Sequence, residues 1–97
     1  MKALEGVKVV DFTWSIAGPL ATKFLADYGA TVIHVESATH PDFLRSSGPF
    51  KDDIPGINRS GYSAFFAANK YGLALNLNHP LAHRVIRSLV EWADVIA

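Results

Sequence analysis

The residues best placed to do chemistry stand at the first turn of the chain. An apolar run, Val7 to Thr13, leads within a few residues into Ala17-Gly18-Pro19 and then into a helical pattern. A small-residue turn of this kind lets a ligand approach the backbone closely. The helix behind it offers free N–H groups and a positive dipole end, which favour a phosphate or a carbonyl oxygen. The plainer alternative is a tight strand-to-helix turn. The GxGxxG fingerprint is absent, which argues against a nicotinamide dinucleotide site. Glu36 closes a second apolar run, where an acid can bond a ribose; a solvated carboxylate or a local salt bridge fits as well. His34, His40, His79 and His83 share no metal-ligand spacing. His79 and His83 are four apart, but no third ligand is evident, so no metal is expected. Asp52-Asp53 reads as a solvated loop, and no serine has a GxSxG setting. Asn69-Lys70 either faces a ligand or caps and solvates a turn. No residue stands out as a nucleophile or general base.

These residues need elements to hold them. Val7, Val9, Val10 and Phe12 make a nearly continuous apolar run, the mark of a parallel strand covered on both faces. Pro19 suits the first turn of the next helix. Leu20, Phe24 and Tyr28 repeat at four-residue spacing on it, and Gly29 suits the left-handed position after it. Thr31 to Val35 is β-branched and predicts a second strand. Ser37 to Ser63 is rich in Pro, Gly, Ser and Asp and reads as a long connection serving a site or a partner. Ala64 to Ala68 is a short apolar stretch, helical or extended. Leu73, Leu75 and Leu77 alternate as in a strand. A last helix is expected from near Pro80, capped by Asn78 or His79, with Leu81, Val85, Ile86, Leu89, Val90 and Ala93 as its apolar stripe. Asp94 to Ala97 reads as the start of a further strand.

Strand, tight loop, helix and strand in this order predict an α/β, Rossmann-like parallel sheet with flanking helices, which holds ligands at its carboxyl edge. With 97 residues the chain is at most one domain. Equal numbers of basic and acidic residues, 9 and 9, give no field for nucleic acid. There is no cysteine, so a disulfide framework or thiolate metal site is excluded. No apolar run reaches the ~18 residues of a membrane span, and the start lacks a signal-peptide core. A soluble, cytoplasmic protein is expected.

Taken together, the motifs resemble the N-terminal part of family III CoA-transferases, a group that includes formyl-CoA transferase, carnitine CoA-transferase and α-methylacyl-CoA racemase. The resemblance runs through Leu4 to Thr13, Ala17-Gly18-Pro19, Leu25 to Glu36, Asp42, Arg45, Gly48-Pro49-Phe50, Asn69-Lys70, Leu75-Asn76-Leu77, Pro80 and Ala93-Asp94-Val95. It implies that residues 1–97 are the N-terminal part of a large CoA-binding Rossmann-like domain, in a longer protein whose two chains interlock as a homodimer. It implies acyl-CoA and carboxylic acid substrates, with CoA passed through an aspartate nucleophile downstream of this segment. The segment itself then holds no catalytic residue and no transferase activity. An acyl-CoA racemase of the same family, or a truncated piece that only binds CoA or a partner, are the alternatives.

By the same resemblance, the CoA-binding residues are Ser15, Ile16 and Ala17 along the first turn, Ser37 at the nucleotide end, Leu75 against the adenine, and Asn78 nearby. Gln is common where Ile16 stands. Ser37 takes the place of a common Arg, and Asn78 that of a common Lys, which trades charge for hydrogen bonding. Unpaired strand edges and uncovered apolar helix faces predict that the segment alone is poorly stable or associates.

Overall fold

A computed structural model describes residues 2–97. The elements run β1 (Lys8–Asp11), α1 (Ala17–Asp27), β2 (Thr31–Glu36), two short 3-10 turns (Phe43–Ser46 and Lys51–Asp53), α2 (Gly61–Phe66), β3 (Tyr71–Ala74), α3 (Ala82–Trp92) and β4 (Val95–Ile96). The four strands form one sheet in the order β3-β2-β1-β4, and every neighbouring pair is parallel. The expected α/β sheet with flanking helices is therefore present.

The topology reverses at β1. The crossover through α1 carries the chain from β1 to β2 in one direction, and the crossover through α3 carries it from β3 past β2 and β1 to β4 in the other. Right-handed connections running in opposite directions put α1 and α3 on opposite faces. Such a reversal opens a crevice at the carboxyl ends of the strands. Both faces of β1 are covered, since Val9 and Val10 are fully buried. Val9 and Val32 pack against Ala26 and Ala30 at the end of α1, with Leu4, Val7 and Leu25 around them. Gly29 ends the α1 turn at φ 109°, a left-handed backbone that suits glycine.

Three details differ from the sequence reading. The third strand is centred earlier than Leu73–Leu77. It spans Tyr71–Ala74 because it pairs with Ile33 to Glu36 of β2. The Leu75 N–H makes one more bond, to Glu36 O; beyond it the Asn76 side chain accepts the Asn78 N–H and turns the chain out of the sheet. The last helix begins at Ala82, with Leu81 rather than Asn78 or His79 at the cap position. The His79 ring accepts the Leu81 N–H, so its capping bond closes a turn before the helix rather than the helix itself. The stripe expected on this helix is largely uncovered: only Ala82 is buried, and Leu81, Val85 and Val90 are exposed, as are Val95 and Ile96 of β4.

Candidate functional site

The carboxyl edge of the sheet is built around a buried carboxylate that the sequence reading passed over. Asp11 ends β1 and is fully buried. Its Oδ1 accepts from the Thr13 N–H at 2.8 Å and from the Thr13 hydroxyl. Its Oδ2 accepts from Thr22 Oγ1 of α1 at 2.8 Å and from Lys70 Nζ at 3.0 Å. Lys70 also donates to Pro19 O at 3.1 Å, and its side chain is 2% exposed. Neither sequence reading of Lys70, ligand contact or solvated turn, describes it; the lysine locks β3 to β1 and to the first turn of α1. Asn69 beside it has φ 65° and donates to Asp27.

Parallel register sets Asp11 beside His34 of β2. The His34 Nδ1 lies 3.4 Å from Asp11 Oδ2 and is buried without a hydrogen bond of good geometry, and its Nε2 lies 3.8 Å from Asp42 Oδ2. Burial pushes the Asp11 carboxyl up, but the facing His34 imidazole and the bonds from Thr13 and Thr22 outweigh it and hold the group well below the usual carboxylate range.

A second cluster stands at the end of β2. Glu36 accepts from Arg45 Nε at 2.9 Å and from the Asp42 N–H at 2.8 Å. Arg45 Nη1 continues to Ile57 O at 2.8 Å and Asn58 Oδ1 at 2.9 Å. Burial acts to raise the Glu36 carboxyl, yet Arg45 and the Asp42 N–H lower it overall. Glu36 is thus the local salt bridge weighed above. The long connection after β2 is ordered by it rather than loose, and Ser60 ties in the far end by bonding Leu44 O at 2.8 Å.

Between these clusters runs the β1–α1 turn. Ser15 has φ 70°, and its N–H is held by Asp42 Oδ1 at 3.2 Å. Ile16 is the residue before α1, half exposed, and gives the helix no side-chain cap. The N–H groups of Ala17 and Gly18 have no partner among the described residues. Glycine is required at position 18: a Cβ there would lie 2.5 Å from Thr13 Cβ.

The remaining site residues of the sequence reading meet a short way along the same edge. Ser37, Leu75 and Asn78 line one cavity of about 220 Å³ together with Phe12, Trp14, His40 and Leu77. Ser15 follows directly on Trp14, which joins the turn to this cavity. The lining is mostly aromatic and aliphatic, and its polar side chains are Ser37, His40, Asn78 and the Glu36 carboxylate that Arg45 pairs. A whole small-molecule site commonly occupies about 300–1,000 Å³, so this cavity suits one end of a long ligand. Among the described residues no group of three or more His, Asp or Glu side chains could hold a metal. The His79 and His83 rings are engaged with backbone at Leu81 and Pro80.

The profile of CoA-transferase family III matches residues 4–97. The chain belongs to this family. It is 41% identical over 96 residues to the succinyl-CoA:glutarate CoA-transferase of Mus musculus, covering 98% of this chain and 21% of that protein. It is 40% identical, also over 96 residues, to the succinyl-CoA:mesaconate CoA-transferase of Haloarcula marismortui, covering 99% and 24%. Among solved structures, a CAIB/BAIF family protein from Brucella suis superposes with a TM-score of 0.84 at 33% identity, covering 98% of this chain and 25% of that one. The chain thus spans about a fifth to a quarter of the length of the relatives it matches. No helix among the described residues is long and apolar enough to cross a membrane.

Asp11 was passed over in the sequence, and His34, Asp42 and Lys70 were named there without the roles that they have at this edge. A signal existed for two of them. Asp11 and His34 each follow directly on apolar residues of a parallel strand, and a charged or titratable residue buried there needs partners.

Proposed function

We propose that residues 1–97 form the N-terminal part of the large CoA-binding domain of a CoA-transferase, which moves CoA from an acyl-CoA donor to a carboxylic acid acceptor. The observation that carries this reading is the family match over residues 4–97. The meeting of Ser37, Leu75 and Asn78 in one cavity beside the Ser15–Ala17 turn supports the CoA part of it. In this reading the nucleotide end of CoA enters the cavity, its base against Trp14 and Leu75 and its polar edge toward Ser37 and Asn78. The pantetheine arm runs along the turn. The free Ala17 and Gly18 N–H groups at the positive end of α1 suit an acyl or phosphate oxygen.

The transfer chemistry needs a carboxylate nucleophile. It attacks the donor thioester and expels the CoA thiolate, leaving a mixed anhydride. The thiolate then attacks the enzyme-side carbonyl, frees the donor acid and leaves an enzyme–CoA thioester; the acceptor carboxylate displaces the thiolate to form a second anhydride, and the thiolate takes the acceptor acyl group and frees the enzyme carboxylate. Asp11 cannot serve, since it is fully buried and held by Lys70, Thr13 and Thr22. Asp42 is buried as well, and its Oδ1 is occupied by Ser15 and Leu44. The family resemblance implies an aspartate nucleophile downstream of these residues, and in this reading the segment serves binding. A homodimer and the rest of the domain are the proposed cover for the exposed apolar residues of α3 and β4.

Calorimetric titration of the folded chain with CoA tests the binding part, with a Ser37→Arg, Asn78→Lys variant alongside. Saturable binding that tightens in the variant is expected, because each substitution adds a cation beside the proposed nucleotide site. A folded chain that binds CoA in neither form would overturn the proposal that these residues hold it.

A further inference from the structure

The β1–α1 turn carries an unusual backbone. Ser15 holds φ 70°, a left-handed conformation that a residue with a Cβ seldom adopts unless its surroundings impose it. What imposes it comes from 27 residues further on. Asp42 Oδ1 accepts the Ser15 N–H at 3.2 Å and the Leu44 N–H at 3.0 Å. The carboxylate is buried, and its own backbone N–H is tied at 2.8 Å to Glu36, which Arg45 fixes in place. The acceptor is thus anchored to the end of β2 before any ligand arrives. One residue after Ser15, the chain enters α1 with no side-chain cap, so the direction of the free Ala17 and Gly18 N–H groups follows from how the turn is held.

We propose that Asp42 is a positioning residue for CoA: by holding the Ser15 amide it presets the turn whose free N–H groups meet the ligand. The inference rests on the reading that CoA lies along Ser15 to Ala17. The bond is an acceptor's task, not a charge's. Asparagine at position 42 keeps an Oδ1 that can accept from Ser15 and Leu44, whereas alanine removes it. A purely electrostatic role toward His34 would fail in both variants alike.

The test is calorimetric CoA titration of the full chain, of Asp42→Asn and of Asp42→Ala, together with hydrogen exchange of the Ser15 amide. Binding in Asp42→Asn is expected within about threefold of the unsubstituted chain, and about tenfold or more weaker in Asp42→Ala, which removes the acceptor that holds the turn. The Ser15 amide should be protected before CoA is added, and should lose that protection in Asp42→Ala alone. Unchanged affinity in Asp42→Ala, or equal losses in both variants, would overturn the role of Asp42 while leaving CoA binding standing. A folded unsubstituted chain that does not bind CoA would remove the CoA reading and this proposal with it. Should Asp42→Ala not fold, the unsubstituted chain decides: protection of Ser15 without ligand supports the role, and exchange at the rate of a free loop amide overturns it.

Discussion

Replacing Lys70 by Met tests the claim that the carboxyl edge is held by a buried ion pair. Lys70 Nζ is 3.0 Å from Asp11 Oδ2, and the two side chains are 2% and 0% exposed. Met keeps the length and apolar stem of the lysine, so little cavity is created, but Asp11 keeps its charge and loses its cation. Breaking a buried pair from one side commonly costs about 3–5 kcal/mol. Three donors remain, from Thr13 and Thr22, so the expected loss is about 3 kcal/mol, at the lower end of that range. A complete native domain is stable by only about 5–15 kcal/mol, and this segment is expected to be poorly stable alone, so the loss is a large share of the total. The assay is urea unfolding at pH 7, followed by far-UV circular dichroism, with a melting temperature expected to fall by roughly 12–24 °C. An Asp11→Asn, Lys70→Met double variant should recover part of the loss, since it no longer buries a lone charge. The pH dependence follows from the lowered Asp11 carboxyl. A carboxyl depressed by folding stabilises above its unfolded value, about 3.9, and that stabilisation is lost as pH falls through the folded value. The unsubstituted chain should therefore weaken below about pH 4, and its margin over Lys70→Met should shrink there. A cost below about 1 kcal/mol at pH 7 would refute the reasoning, because a truly desolvated Asp11 cannot lose its cation so cheaply.

Other perturbations test separate parts of the edge. Gly18→Ala should destabilise by about 1–3 kcal/mol in the same urea assay, because its Cβ meets Thr13 Cβ at 2.5 Å; an unchanged midpoint would mean that the turn relaxes freely. Arg45→Ala should free the connection between β2 and α2, since one side chain ties Glu36 to Ile57 and Asn58, and limited proteolysis should then cut within residues 42–58. Cleavage elsewhere, or none, would count against that role. In a Trp92→Phe chain, which leaves Trp14 as the sole tryptophan, CoA should change the emission, and Trp14→Ala should weaken binding about tenfold through lost stacking on the base. Saturable CoA binding with silent Trp14 emission would place the base elsewhere.

The order of elements was legible because its signals are local. A β-branched or apolar run, a proline at a helix start and a glycine after a helix end each act within a few residues, and β1, α1 and β2 follow them. The end of β3 was not legible, because partner register sets it: Tyr71 to Ala74 pair with Ile33 to Glu36, and Asn76 turns the chain away before Leu77. The cover on the last helix was not legible either. A stripe on α3 states what wants burial, not what provides it, and Leu81, Val85 and Val90 stay exposed. At the site the same division holds. The Ala17-Gly18-Pro19 turn can be read from its residue types, but the bonds that hold it come from Asp42 and Lys70, 27 and 51 residues away from their partners.

That division bears on how the edge works. A glycine at position 15 would reach a left-handed backbone with no help, but would leave the turn free to take other shapes. The chain has Ser15 there instead, and its conformation is fixed by an acceptor, Asp42, that is itself held through Glu36 and Arg45. On the other side Lys70 grips Pro19 O and Asp11 together, so the first turn of α1 cannot shift without disturbing a buried ion pair. A turn pinned from both sides has already lost the conformational freedom that a ligand would otherwise have to remove, and a preorganised backbone contact strengthens binding for that reason. The two long-range ties that were hardest to find in the sequence are thus the ones that preset the uncapped start of α1, where the proposed ligand would meet the backbone.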